Sequence, residues 1–336
     1  MDLQALRYSV FGGVRKNQHL PYYIHGFWMM AKPRAWTERK REELLREFDH
    51  LSAAEQNYVQ SRVNYYNRLM TQATLPADSP TIGEQNFFKK KSASVYLFDT
   101  YEWNRYFPAN LKWQFATGDV TSTFEIPTIT KSRPIQACRE NPNSVMLNIE
   151  KVRHFMFFND PIPFDMKKDQ VIFRGAVTGK PHRRAFLDKY FHHPLFDIKD
   201  TAKDSTCAEE MRQRVETTIF DHLQYKYIMS LEGNDVASNL KWIMNSNSIA
   251  VTPPLKYETW FMEGSLKPNE HYIEVKPDYS DIADRISYYN DHPNEASDIN
   301  ENAKQHCRQF FDKKRERLIS LMVLEKYFRL TGQSIR

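Results

Sequence analysis

The sequence predicts an α/β protein. Strand-like and helix-like stretches alternate through its second half, two helical patterns open its first half, and its composition is that of a folded chain. Of 336 residues, 41% are hydrophobic and 26% charged, which excludes wholesale disorder. Only 10 glycines exclude a collagen-like or glycine-rich repeat, and no internal repeat stands out. Apolar runs such as Ser248–Val251 fall far short of the roughly 20 residues a membrane-spanning helix needs.

The elements read in order as follows. Residues 1–35 are aromatic and irregular, closing at Pro33. Thr37 precedes a charged helical stretch with Leu44, Leu45, Phe48 and Leu51 at helical spacing. Ser52 and Glu55 spell a capping box for a second helix that turns Tyr58, Val59, Val63, Tyr66 and Leu69 inward. From Ser92 to Ile135 the pattern changes to short strands, Ser94–Phe98 and Ile126–Ile129. A loop at Arg139–Asn143 leads to another strand at Val145–Leu147. The Pro- and Asp-containing stretch 159–169 reads as a connector, so the domains are expected at 1–160, 161–305 and 306–336. Beyond it, strands are expected at Val171–Arg174, Tyr227–Leu231 and Ser248–Val251. Helices are expected at Arg183–Phe191 and Ala237–Asn245, and one long helix over Asn300–Leu330. Such alternation argues for βαβ units around a parallel sheet.

Four segments carry candidate chemistry. In 173–184, a strand ends at Arg174 and a cationic loop with Gly175 and Gly179 leads to Arg183 and Arg184 at a helix start. That pattern suits an anion, though a solvated basic loop has the same composition. It is neither a Walker A loop nor a dinucleotide fingerprint. In 230–242, a strand runs into Gly-Asn-Asp and then Val236, Ala237 and Ser238, whose small side chains let a phosphate or ribose reach the backbone. An ordinary turn capped by Asp235 is the plainer reading. In 252–261, two prolines set a rigid turn before Tyr257 and Glu258, a carboxylate among aromatics suited to a sugar or base, or simply an aromatic core. In the fourth, Asp119 follows Gly118 at a corner, where it serves as a general base or only as a turn residue. Lys131 and Arg133 flank Ser132 as holders of an anionic acceptor or leaving group.

Other signals are weaker. His154 and the His192–His193 pair lack metal spacing and read as surface or capping histidines. There is no His-Glu-x-x-His, Cys-x-x-Cys, Gly-x-Ser-x-Gly or Asp-x-Asp. Cys138, Cys207 and Cys307 are odd in number and far apart, so neither a disulfide framework nor a zinc cluster follows, and a reducing compartment fits. Met1–Arg7 has an early acid and no apolar core, so no secretory signal is expected. A net charge of +5 is mild, and the basic residues are interleaved with acids, which argues against a nucleic-acid binder. Lys313, Lys314, Arg315 and Arg317 near the C-terminus face either anionic lipid or, more simply, solvent.

Taken in order, the Arg174-Gly175 loop, Glu232-Gly233-x-x-Val236-Ala237-Ser238-Asn239-Leu240-Lys241-Trp242, Ser246-Asn247-Ser248, Pro253-Pro254-x-x-Tyr257-Glu258-Thr259-Trp260-Phe261 and His271-Tyr272-Ile273 resemble glycosyltransferase family 90. That family includes bacterial lipopolysaccharide-core transferases, fungal capsule xylosyltransferases and animal protein O-glucosyltransferases. The resemblance covers roughly residues 90–290 and is closest to the bacterial branch, where Gly118-Asp119-Val120, Lys131–Ile135 and Lys151–Phe155 also fit. It implies a GT-B architecture of two Rossmann-like domains facing each other across a donor cleft. Residues 1–160 would lie on the acceptor side and 161–305 would bind a UDP-sugar, with a C-terminal helix in 306–336 packing back. It implies a metal-independent, inverting transfer without cofactor. Asp119 is then the base; Arg174, Gly175, Arg183 or Arg184, Val236, Ala237, Ser238 and Lys241 hold the diphosphate. Glu258 and Tyr257 lie near the ribose or base, and Lys131, Ser132 and Arg133 near the acceptor or sugar. Lys241 would compensate for Asn239-Leu240, where fungal and animal members carry Arg. The expected partners are a UDP-sugar and a glycan or lipid-linked saccharide, on a cytoplasmic protein lying peripherally on the inner face of the membrane. The alternative is a non-catalytic carbohydrate-binding protein that keeps the fold.

Overall fold

The computed structural model describes residues 20–84, 94–215 and 217–335. The reading of Met1–Arg7 therefore lies outside the described residues. Helix α1 spans Leu20–Met30, where irregular chain was expected. Its Gly26 and Met29 are buried, and a Cβ on Gly26 would sit 2.5 Å from the Phe98 ring, so close tertiary packing, not local propensity, stabilises it. Helix α2 spans Arg34–Arg46. Thr37, expected ahead of it, lies inside and donates to the carbonyls of Arg34 and Arg105. Helix α3, Ala53–Tyr66, opens with the reciprocal Ser52–Glu55 cap and buries Val59, Val63 and Tyr66. Helix α4, Ser94–Asn104, replaces the strand expected at Ser94–Phe98. Buried on several sides, it shows no polar face, and a short apolar run of this kind fits either period.

Three short strands follow: β1 at Thr128–Thr130, β2 at Ser132–Pro134 and β3 at Ser144–Met146. A helical turn at Ala137–Glu140 occupies the start of the expected loop, and another at Lys151–His154 follows β3. The second half then alternates as expected: β4 at Lys168–Gly175, α5 at Pro181–Tyr190, β5 at Phe196–Asp200, β6 at Tyr225–Met229, α6 at Leu240–Asn245 and β7 at Ile249–Thr252. β8 at Tyr257–Thr259, β9 at Ile273–Glu274, α7 at Ile282–Asp291, α8 at Pro293–Arg308 and α9 at Lys313–Leu330 complete it. The single terminal helix expected from Asn300 is thus two. Asp312 restarts the chain by accepting from the N–H groups of Lys314 and Arg315.

The central sheet has five strands in the order β5-β4-β6-β7-β9, and all its pairings are parallel. Its pleat sorts side chains by parity. Val171, Phe173, Tyr227, Met229, Ile249 and Val251 pack with α5 and α7 on one face. Ile172, Ile228 and Ala250 face the other way, toward α6, α9 and the first-half helices, in one continuous cluster that includes Val63, Trp113 and Val145. The first half adds a parallel pair, β1 with β3, and strand β2, which pairs antiparallel with β8. Helix α9 packs on α3, with Arg62 and Glu316 ion-paired at 2.5 Å inside the contact. The three cysteines are free and buried.

Candidate active site

The strand order reverses between β4 and β6, and in open α/β sheets the crevice beyond the carboxyl ends at such a switch point receives the ligand. Two loops meet there. Arg183, in the first turn of α5, ties them together, donating to Ala176 O at 3.1 Å, Leu231 O at 2.7 Å and Glu232 O at 3.0 Å. Lys180 bonds the Asn234 side chain, and His182 meets Glu232 O at 2.9 Å. Val236 and Ala237 are buried just beyond. Helix α6 begins at Leu240, later than expected, so Ala237 and Ser238 lie in a turn ahead of it. Among the described residues, the N–H groups of Val236, Ala237, Ser238 and Asn239 have no protein acceptor.

The first half brings Asp119 to this place. Gly118 takes φ +88°, a conformation that favours glycine, and donates its N–H to Tyr96. Asp119 Oδ2 accepts from Asn234 Nδ2 at 2.9 Å and Oδ1 from Lys131 Nζ at 2.6 Å, while 32% of the side chain stays exposed. Burial works to raise the Asp119 pKa, but Lys131 and Asn234 outweigh it and hold the carboxyl below the usual range. Lys131 is itself buried, and contacts Glu150 at 2.8 Å and Asp235 at 3.3 Å. Burial opposes its charge; Glu150 and Asp235 restore it and raise its pKa. Ser132 donates to Asp235 at 2.7 Å and accepts from the Val120 N–H. Glu150 holds this position in the left-handed region at φ 61°. Among the described residues, no group of three His, Cys, Asp or Glu is arranged to hold a metal ion.

The remaining expected site residues are engaged elsewhere. Arg174 shares the parity of Ile172 and lies back along β5, giving its terminal nitrogens to Asp197 and the Phe173 carbonyl; Gly175 ends the strand beside it. Arg184 is on the outer side of α5, paired with Asp188 one turn on. Lys241 is fully buried against Glu263 at 2.7 Å, so it does not stand in for an arginine at the loop; Asn239 instead bonds Ser230 and the Met229 carbonyl. Glu258 and Arg133 face each other across the β2–β8 pair, both fully buried, at 2.7 Å. Tyr65 also donates to Glu258, and Tyr257 gives its backbone N–H to Glu232 at 3.1 Å. His154, expected at the surface, is 3% exposed, and burial pushes its pKa well down.

The sequence reading missed Glu150, Asn234 and Asp235 as parts of the Lys131 cluster. Glu150 abuts the Lys151–Phe155 motif and Asp235 sits inside the Gly233-x-x-Val236 turn, so adjacency was the available signal. A groove of about 550 Å³ among Phe157, Asp160 and Lys304 opens at the opposite, amino end of the sheet, away from this cluster.

Residues 144–333 match Glycosyl transferase family 90. The chain is 36% identical over 316 residues to a protein named O-glucosyltransferase LpsA from Dichelobacter nodosus, covering 94% of this chain and 97% of that one. Shorter matches reach protein O-glucosyltransferase 2 of Danio rerio, 31% identical over 24% of this chain and 16% of that one, and human protein O-glucosyltransferase 3, 26% identical over 32% and 21%.

Proposed function

The chain belongs to glycosyltransferase family 90, and from that premise we propose that it moves a sugar from a UDP-sugar to a hydroxyl of a lipopolysaccharide-core or related glycan. The name of the Dichelobacter nodosus relative supports glucose as the sugar. Within this reading the five-stranded sheet is the donor lobe of a GT-B arrangement. Residues 1–160 are its acceptor side, 161–305 the donor domain and 306–336 the returning segment. The reading rests on one contact, the bond from Asn234 to Asp119, which joins the first half's exposed carboxylate to the loop beyond β6.

The chemistry follows from these positions. Asp119, ionised at neutral pH, takes the proton of the acceptor hydroxyl as its oxygen bonds to the anomeric carbon from the face opposite the leaving group. The bond from that carbon to the diphosphate oxygen breaks, and UDP departs with the electron pair. The transition state has oxocarbenium character. Charge on the leaving diphosphate is met by Lys180, the open edge of Arg183 and the free N–H groups of Val236–Ser238, so the transfer proceeds without a divalent ion. Arg174, Lys241, Arg133 and Glu258 support the loops instead of touching the donor.

The test is UDP release from a panel of UDP-sugars, with truncated lipopolysaccharide as acceptor and with or without EDTA. Release with UDP-glucose, insensitive to chelation and giving the opposite anomer by NMR, is the expected result. Retained configuration, dependence on a divalent ion, or turnover only with a different nucleotide would overturn the corresponding part.

A further inference from the structure

Helix α1 is apolar on two faces. Tyr22, Tyr23, Gly26 and Met29 face inward; the two tyrosine rings meet Phe98, and Tyr22 also donates to Asp99 at 2.8 Å. On the other side Ile24 and Trp28, one turn apart, are 60% and 56% exposed, and Phe27 at the flank is 65% exposed although its ring also meets Phe98 at 5.1 Å. Trp36 on α2 is likewise 65% exposed, and the exposed Arg39 and Lys40 stand three and four residues beyond it on the same helix face. Lys32 sits over the Trp28 ring, 3.3 Å from its centroid. Residues 20–46 hold six Lys and Arg against three Glu.

Large apolar side chains left in water mark an interaction surface. Tryptophan with lysine and arginine at its margin is the chemistry of a bilayer interface, where the ring sits at headgroup level and cations meet anionic lipid. The cations near the C-terminus make a poorer surface. Arg317 pairs with Glu47 and Arg315 is turned to the Gln309 carbonyl, and the aromatic beside them, Phe311 at 46% exposed, rests its ring against Phe157 at 5.0 Å. We propose that the outer stripe of α1, with Trp36, Lys32, Arg39 and Lys40, docks the protein onto an anionic membrane surface. This rests on the lipopolysaccharide-core acceptor of the proposed function, since a substrate anchored in the bilayer is met by an enzyme held at its surface.

The experiment is co-sedimentation of the full chain with vesicles of phosphatidylethanolamine and 30% phosphatidylglycerol, against phosphatidylcholine alone. The variants are I24S/F27S/W28S and K32E/K40E, each checked by circular dichroism, and gel filtration runs alongside. The expected result is binding only to the anionic vesicles, weakened by salt, and reduced at least tenfold in either variant. Equal binding to neutral vesicles, undiminished binding in the triple variant, or a dimer that the triple variant dissolves would overturn the proposal. Transfer to a water-soluble acceptor fragment separates the two ideas. Transfer without vesicle binding removes only the docking surface, and absence of transfer with every soluble acceptor removes the acceptor reading.

Discussion

Lys131 and Arg133 lie two residues apart, both are buried cations, and each is surrounded by acceptors from distant parts of the chain. Their partners make the difference. Arg133 meets Glu258, whose carboxylate has no exposed surface, and spends its remaining bonds on the carbonyls of Tyr65, Tyr66 and Ser144. Lys131 gathers Glu150 and Asp235 inside, but its third carboxylate, Asp119, remains one-third exposed at 32%. A sealed ion pair fixes a strand contact; a cluster with one open acid holds that acid charged and partly open to solvent. Buried charge alone therefore does not mark chemistry; access does.

The sharpest way to break this contrast is Asp119→Asn. The amide keeps the size and one acceptor oxygen but takes no proton, so transfer should fall about 10²–10⁴-fold with UDP binding unchanged, while the melting temperature drops modestly as the Lys131 ion pair is lost. Normal turnover would remove Asp119 from the chemistry. On the sealed side, Glu258→Gln leaves the Arg133 charge buried and unmatched, and chemical denaturation should register a loss of about 3–5 kcal/mol. A stable variant with a specific loss of donor affinity would instead return Glu258 to the binding site. Arg183→Ala, which cuts the tie between the two loops, should lower transfer more than tenfold, while Arg184→Ala on the outer face of α5 should leave it within about twofold.

A subtler separation lies in the pH profile. Lys131 and Asn234 hold the Asp119 carboxyl below its usual range against the effect of burial. Lys131→Met removes the ammonium and leaves the burial, so the acidic limb of kcat/KM should move toward neutral pH. The stability that this depressed group contributes runs the same way. It is present above the unfolded-state pKa and lost as pH falls through the folded value, and the variant should lack it. An unmoved acidic limb in a folded variant would mean that some other group sets it.

The second half was legible because its strands bury alternate residues on two opposite faces, which leaves β-branched and aromatic runs bounded by turns at Val171–Arg174, Tyr227–Leu231 and Ser248–Val251. The first half was less so. Ser94–Phe98 is apolar at nearly every position because α1, α9 and the core surround it, and such a run shows no period to distinguish helix from strand. At the site, motif order led to Asp119, Arg183 and Val236–Ser238. It also drew in Lys241, Arg133 and Glu258, whose neighbours on other strands and helices decide whether a charged side chain opens into the crevice or closes on a partner. That decision is tertiary, and no local spacing encodes it.

Glu232 offers the finest test, because it lies between the two cases: half-buried, with no ion-pairing cation among the described residues. Burial pushes its carboxyl up to about 7, with the Lys256 and Tyr257 N–H groups only partly offsetting it. A raised folded-state pKa means the folded protein holds this proton more tightly than the unfolded chain does. The resulting stability is complete below the unfolded-state value, near 4.5, and is lost as pH rises through about 7. Gln imitates the protonated acid and keeps an oxygen for both N–H groups. Glu232→Gln should therefore match wild type at pH 4 and exceed it at pH 8, by on the order of 1–2 kcal/mol after allowance for solvent screening. An equal difference at both pH values would show that packing, not the buried charge, separates the variant from wild type. Should the gain at pH 8 vanish when UDP is bound, the ionised form would have a partner in the donor complex, and Glu232 would join Asp119 on the open side of the comparison.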